Sequence, residues 1–125
     1  YNANPASTRA ALEVLTERAP GSPKVAVLGS MFELGSEEGP GHRQVGAFAA
    51  EIPNLTLLVT VGEIAELIAQ GAREAGLDAG KVHSFADTPE AVDFLRRSLP
   101  ERAWVLVKGS RGMKMERVVK GLLTE

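Results

Sequence analysis

Cysteine is absent from this 125-residue chain, which excludes disulfides and thiolate metal sites and fits a cytoplasmic setting. Histidine occurs only twice, at His42 and His83. With no Cys/His cluster to join, neither suggests a metal centre. Neither sign of charge dominates: 14 Lys+Arg against 16 Asp+Glu leave a net charge of -2. A nucleic-acid module would carry a clear basic excess, so no nucleic-acid partner is expected. No apolar run approaches the ~18 residues of a membrane span, and no charged-then-apolar signal segment leads the chain. We expect no membrane span. What is present is ordinary for a globular domain: 44% hydrophobic and 24% charged residues, a balance that argues against disorder. The length suits one domain able to bury a core without staples. No repeat, low-complexity tract or internal linker interrupts it.

Asn4-Pro5 reads as an N-cap followed by proline at the first helical position, where its missing N–H costs nothing. Helical spacing through Ala10, Ala11, Val14, Leu15 and Arg18 follows, and Pro20-Gly21 stops it. Lys24 to Leu28 is a short β-branched apolar run, a strand buried on both faces. A loop, Ser30 to Gly35, leads to Ser36 as a cap candidate with Glu37 and Glu38 in a first turn. Gly39-Pro40-Gly41 weakens that start, but His42 to Ala50 again looks helical. A second strand spans Leu55 to Val59, and a helix spans Gly62 to Glu74. A third strand covers Lys81 to Phe85, and a helix opened by Asp87 or Thr88 ends before Pro100. The fourth strand covers Ala103 to Val107, and a last helix runs from about Met113 to Leu123. Strands alternating with amphipathic helices predict an α/β, Rossmann-like three-layer domain: a mainly parallel sheet flanked by helices on both faces.

In such sheets ligands bind outside the carboxyl ends of the strands. Three loops are therefore candidates: Gly29 to Gly35, Thr60 to Glu63, and Lys108 to Gly112. The last is the most informative. Lys108 and Arg111 flank Gly109 and Ser110 ahead of a helix, a combination suited to a phosphate or carboxylate; the plainer alternative is a solvated loop whose cations pair with surface acids. The strand-one loop matches neither G-x-G-x-x-G nor G-x-x-x-x-G-K-[ST], so the chain has no phosphate loop or dinucleotide fingerprint. Met31, Phe32 and Leu34 read as core or interface plugs, and Glu33 as a solvated charge or cap ahead of a functional acid. His42 reads as a packed or capping histidine ahead of a general base, and His83 as structural. G-x-S-x-G is missing, so neither Ser30 nor Ser110 sits in a nucleophile elbow.

Tyr-Asn-Ala-Asn-Pro at 1–5, Val-Ala-Val-Leu-Gly-Ser-Met-Phe-Glu-Leu-Gly at 25–35, His42 with Val45-Gly46, and Val-Leu-Val-Lys-Gly-Ser-Arg at 105–111 together resemble the C-terminal domain of a Mur ligase. Within that family the resemblance points to the branch joining D-alanyl-D-alanine to the UDP-N-acetylmuramoyl (UDP-MurNAc) tripeptide of peptidoglycan precursors. It implies an ATP-dependent, ADP-forming ligase of three domains. An N-terminal domain would bind the UDP-sugar, a central one would carry the phosphate loop and Mg²⁺, and residues 1–125 would form the third, closing over both. The tripeptide carboxylate would become an acyl phosphate, which the amine of D-Ala-D-Ala attacks. ATP and Mg²⁺ are thus implied for the whole enzyme, and neither for this domain alone; the other two domains, the dipeptide and UDP-MurNAc-tripeptide are the implied partners. Carried over by position, Tyr1, Asn2 and Asn4 match the motif facing ATP. Lys108, Ser110 and Arg111 match the acceptor motif, with Arg111 or Lys108 expected on the D-Ala-D-Ala carboxylate and Ser110 hydrogen-bonded to the dipeptide. Ser30, Met31 and Thr60, at neighbouring strand ends, are added as candidate dipeptide contacts.

Two departures bear on these assignments. The family usually reads Gly-Asp-Met where this chain has Gly29-Ser30-Met31, so an aspartate's role there is lost or moved. The family's aspartate ahead of the Tyr-Asn-Ala-Asn-Pro run, expected on the ATP ribose, would lie upstream of residue 1. A chain beginning at Tyr1 inside this motif is expected to be a fragment cut at a domain hinge. The alternative is a stand-alone flavodoxin-like or Rossmann-like anion-binding module, or a docking domain using Met31, Phe32 and Leu34. A phosphoryl-accepting receiver would need clustered acids where Gly29-Ser30-Met31 stands. A flavin site would need a phosphate loop and more rings than one Trp and one Tyr.

Overall fold

The structure, a computed structural model, describes residues 3–123. Helix α1 (Pro5–Arg18) starts where the sequence places it. The Asn4 Oδ1 accepts from the Ser7 N–H at 2.8 Å, and the Ser7 hydroxyl accepts from the Asn4 N–H at 3.1 Å. This reciprocal cap satisfies donors that a first turn otherwise leaves orphaned. Thr8, Leu12 and Leu15 are its buried stripe. Strand β1 (Lys24–Gly29) is buried at all six positions, as a central parallel strand must be.

After β1, a 3-10 turn (Gly35–Glu37) leads into α2 (Glu38–Ala50). This helix begins at Glu38, between the candidate cap Ser36 and His42: Gly39-Pro40-Gly41 lies within its first turn, where a proline forfeits no hydrogen bond. Ser36 is in the 3-10 turn and makes no cap. Strand β2 (Leu55–Val61) is longer than the apolar run suggested. Helix α3 (Glu66–Glu74) starts later than Gly62, because Gly62 adopts φ 111° to turn the chain out of the sheet. Strand β3 (Val82–Phe85) and α4 (Thr88–Ser98) follow, with Asp87 capping α4 by accepting from the Glu90 N–H at 3.1 Å. Strand β4 (Trp104–Lys108) runs into a 3-10 turn (Arg111–Met113). Lys114, at φ 51°, then redirects the chain into α5 (Glu116–Leu123), which starts three residues past the expected Met113.

The four strands lie in the order β3-β2-β1-β4, all parallel. Ala26, Leu28 and Leu58 face a core shared with Leu12, Val45 and Ile68 of α1–α3. Val25, Val27 and Val59 face the opposite core, with Ala91 and Leu95 of α4 and Val118 of α5. The α/β expectation holds, with helices on both faces. Helices α2 and α3 approach backbone to backbone: a Cβ on Gly46 would run into the Ile68 carbonyl, and one on Gly71 into the Arg43 carbonyl.

The strand order also locates a switch point. From β1 the chain steps to β2 and β3 on one side, then crosses to β4 on the other. The crevice of such a sheet opens outside the carboxyl ends of the two strands where the direction reverses, here β1 and β4. Of the three candidate loops, the topology brings together those after Gly29 and after Lys108.

Candidate functional site

At the ends of β1 and β4 the two chains nearly touch. A Cβ on Gly109 would stand 3.1 Å from the Gly29 Cα and 2.7 Å from the Met115 side chain, so glycine is what permits this contact. The Ser30 carbonyl accepts from the Ser110 N–H at 3.1 Å, its own N–H donates to the Val61 carbonyl at 3.2 Å, and its Oγ accepts from the Ala65 N–H at 3.1 Å. Ser30 therefore ties β1, β2, β4 and the approach to α3 into one platform. The Phe32 N–H donates to the Ser110 Oγ at 2.7 Å, pinning the strand-one loop onto the strand-four loop.

Beside this platform opens a cleft of about 250 Å³, lined by Ala3, Val107, Lys108, Gly109, Ser110, Arg111, Met115 and Glu116. Two cations from the β4 loop thus share a cavity with the residue that leads into α1, and with a carboxylate in the first turn of α5. The Lys108 ammonium makes no ion pair among the described residues. Ser110 is buried, and because its oxygen accepts from Phe32, its hydroxyl hydrogen is left to donate. The arrangement suits a small anionic group: a planar guanidinium for bidentate contact, a flexible ammonium and a buried hydroxyl donor.

Of the residues singled out from sequence, Lys108, Ser110 and Arg111 meet in this cleft, and the 1–5 motif reaches it through Ala3. Asn4 spends its Oδ1 on capping α1, and its amide hydrogens donate to nothing else among the described residues. Tyr1 and Asn2 lie outside the described residues. Ser30, Met31 and Thr60 are buried and are not among the residues that line the cleft. Thr60 lies inside β2, not in the loop after it, and donates to the Ser84 Oγ at 2.8 Å. Met31 packs in the α1–α3 core, its sulfur accepting from the Thr8 hydroxyl at 3.6 Å, so it offers no free docking patch. Leu34 packs against the same core. His42 is fully buried, with Nε2 accepting from the Met31 N–H at 2.9 Å and Nδ1 donating to the Glu38 carbonyl at 2.6 Å. Both ring nitrogens are used, as a packed histidine requires. His83 donates to the Gly80 carbonyl at 3.1 Å and packs against the Phe94 ring in a tilted arrangement.

The sequence reading missed Ala3, Val107, Met115 and Glu116 as lining residues. Glu116 carried the only usable signal, an acid opening a helix directly after the cationic loop. That acid occupies the α5 N-terminus, so the helix end contributes less to an anion site than the sequence suggested.

Comparison with known proteins agrees with this picture. Residues 1–111 match the family described as Mur ligase, glutamate ligase domain. The chain is similar to the UDP-N-acetylmuramoyl-tripeptide–D-alanyl-D-alanine ligases of Bacillus subtilis strain 168, at 33% identity, and Escherichia coli strain K12, at 37% identity. Each match covers 98% of this chain, and 26% and 25% of those proteins respectively. A crystal structure of MurF from Acinetobacter baumannii superposes with a TM-score of 0.82 at 37% identity over 98% of this chain and 26% of that one. MurF ligase from Thermotoga maritima in complex with ADP superposes with a TM-score of 0.76 at 26% identity, with the same coverages. The chain spans about a quarter of the length of the relatives it matches.

Proposed function

The chain belongs to the Mur ligase family, and from that premise we propose that it is the C-terminal domain of an ATP-dependent, ADP-forming amide ligase. That enzyme would join D-Ala-D-Ala to UDP-MurNAc-tripeptide, the two substrates in the names of the relatives above, and in this reading it does so through an acyl phosphate. The observation that carries the proposal is the cleft at the β1/β4 switch point, where Lys108, Ser110 and Arg111 converge beside Ala3. In this reading the Arg111 guanidinium takes the dipeptide carboxylate in bidentate fashion, Lys108 adds charge, and the Ser110 hydroxyl donates to a dipeptide oxygen. In this reading Ser30, Met31 and Thr60, which lie outside the cleft lining, support the strand ends from within.

Tyr1, Asn2 and Asn4 face ATP in this reading, with the Asn4 amide hydrogens as the available donors. ATP supplies the phosphoryl group that activates the tripeptide carboxylate. It and Mg²⁺ would be held chiefly by the central domain, and the ADP complex of a relative supports the nucleotide. This domain's contribution is to orient the dipeptide amine against the activated carbonyl, an effect worth up to roughly 7–11 kcal/mol of barrier.

Arg111→Ala in the full-length enzyme tests the assignment. Losing a charge-assisted bidentate contact should raise the KM for D-Ala-D-Ala about ten- to a hundredfold, with the KM for ATP within about twofold. An unchanged dipeptide KM would overturn it.

A further inference from the structure

We propose that His42 is a positioning residue for this reaction: acting through Met31 and Phe32, it sets the Ser110–Gly112 turn that carries Arg111. The inference rests on the reading of that turn as the acceptor site. Three consecutive residues of the strand-one loop are each held through the backbone. The Ser30 carbonyl accepts from the Ser110 N–H, and the Phe32 N–H donates to the Ser110 Oγ. Between them, the Met31 N–H donates to the His42 Nε2 at 2.9 Å. The loop is thus clamped to the β4 turn on both sides of Met31, and to helix α2 at Met31 itself. The Phe32 ring carries the contact further, since a Cβ on Gly112 would lie 3.0 Å from its Cε2. A displacement of Met31 cannot leave Phe32 and Ser110 in place.

Histidine suits the position because two demands fall on one side chain. From α2 it must reach the loop with an acceptor while donating to its own helix, at the Glu38 carbonyl. A neutral imidazole does both on a rigid ring. His42 is wholly buried and absent from the cleft lining, so it contacts no substrate and acts only through the loop.

The test compares two substitutions in the full-length ligase. His42→Asn keeps a donor near the Glu38 carbonyl but falls short of Met31; His42→Gln places an amide oxygen where Nε2 stands. Amide hydrogen exchange is followed in the segments 30–35 and 109–114, alongside the two substrate KM values. For His42→Asn, protection in both segments should fall about tenfold. The dipeptide KM should rise about fivefold or more, while that for ATP stays within about twofold. His42→Gln should restore most of both. Loss of protection confined to 30–35, or a glutamine no better than asparagine, would overturn the coupling. If both segments loosen and the dipeptide KM does not move, the coupling stands and the acceptor-site reading of the turn falls. Should His42→Asn fail to fold, Gly112→Ala probes the link from the exposed end: its added methyl presses on Phe32 and should loosen 30–35, and unchanged exchange there would refute the link.

Discussion

Ser30 stands where the family resemblance would put an aspartate, and its geometry says what the shorter side chain does. The hydroxyl accepts from the Ala65 N–H at 3.1 Å in a fully enclosed setting, satisfying a donor at the approach to α3. Ser30→Ala would leave that N–H without an acceptor, which costs about 1–3 kcal/mol. Chemical denaturation should register the loss, and an unchanged midpoint would contradict the role. Lys24 poses a comparable case. Its ammonium is buried and donates to the Pro53 carbonyl at 3.0 Å and the Ser22 carbonyl at 3.2 Å, holding two loops at the amino ends of the strands. The sequence marked Lys24 only as the start of a strand. Burial of a lysine depends on carbonyls brought together from distant segments, which local pattern does not reveal.

Among the elements, α2 and α3 are set by their glycines. Gly46 and Gly71 let the two helix backbones meet without side chains between them. Gly46→Ala should force them apart at a cost of about 1–3 kcal/mol. Gly39→Ala, in the same helix but facing open space, should be neutral or stabilising by up to about 1 kcal/mol. Measuring both by thermal or chemical denaturation separates packing from propensity; equal effects would refute the close-approach account. The start of the same helix shows how tertiary context resolves an ambiguous pattern. Gly-Pro-Gly looks like a breaker, but a first turn needs no N–H from Pro40, and the buried Gly41 lies against Pro5. Strand β2 runs past the expected Val59 for a related reason: Thr60 is polar, yet its hydroxyl is satisfied by Ser84 on β3, so the strand continues to Val61.

For the whole molecule, the cleft brings Lys108 and Arg111 together beside Ser110. Among the described residues no cluster of acids and histidines could hold a metal ion, no helix is long and apolar enough to cross a membrane, and the sequence contains no phosphate loop. If the chain is one domain of the ligase, as proposed, the 125-residue chain given ATP, UDP-MurNAc-tripeptide and D-Ala-D-Ala should release no ADP in a coupled assay. Measurable turnover would refute the reading of this chain as one part of the ligase. The sequence alone determined the α/β alternation, the capped start of α1 and the cationic β4 loop, because caps, buried strands and glycine-flanked cations are local patterns. It also carried the family resemblance. Only the tertiary structure decided which loops line the cleft. The strand order β3-β2-β1-β4 puts the switch point between β1 and β4, bringing Ala3 and Glu116 to Lys108 and Arg111 while drawing Ser30, Met31 and Thr60 inside. Those outcomes follow from pairing between segments far apart in the chain, and no local period records which strand lies beside which.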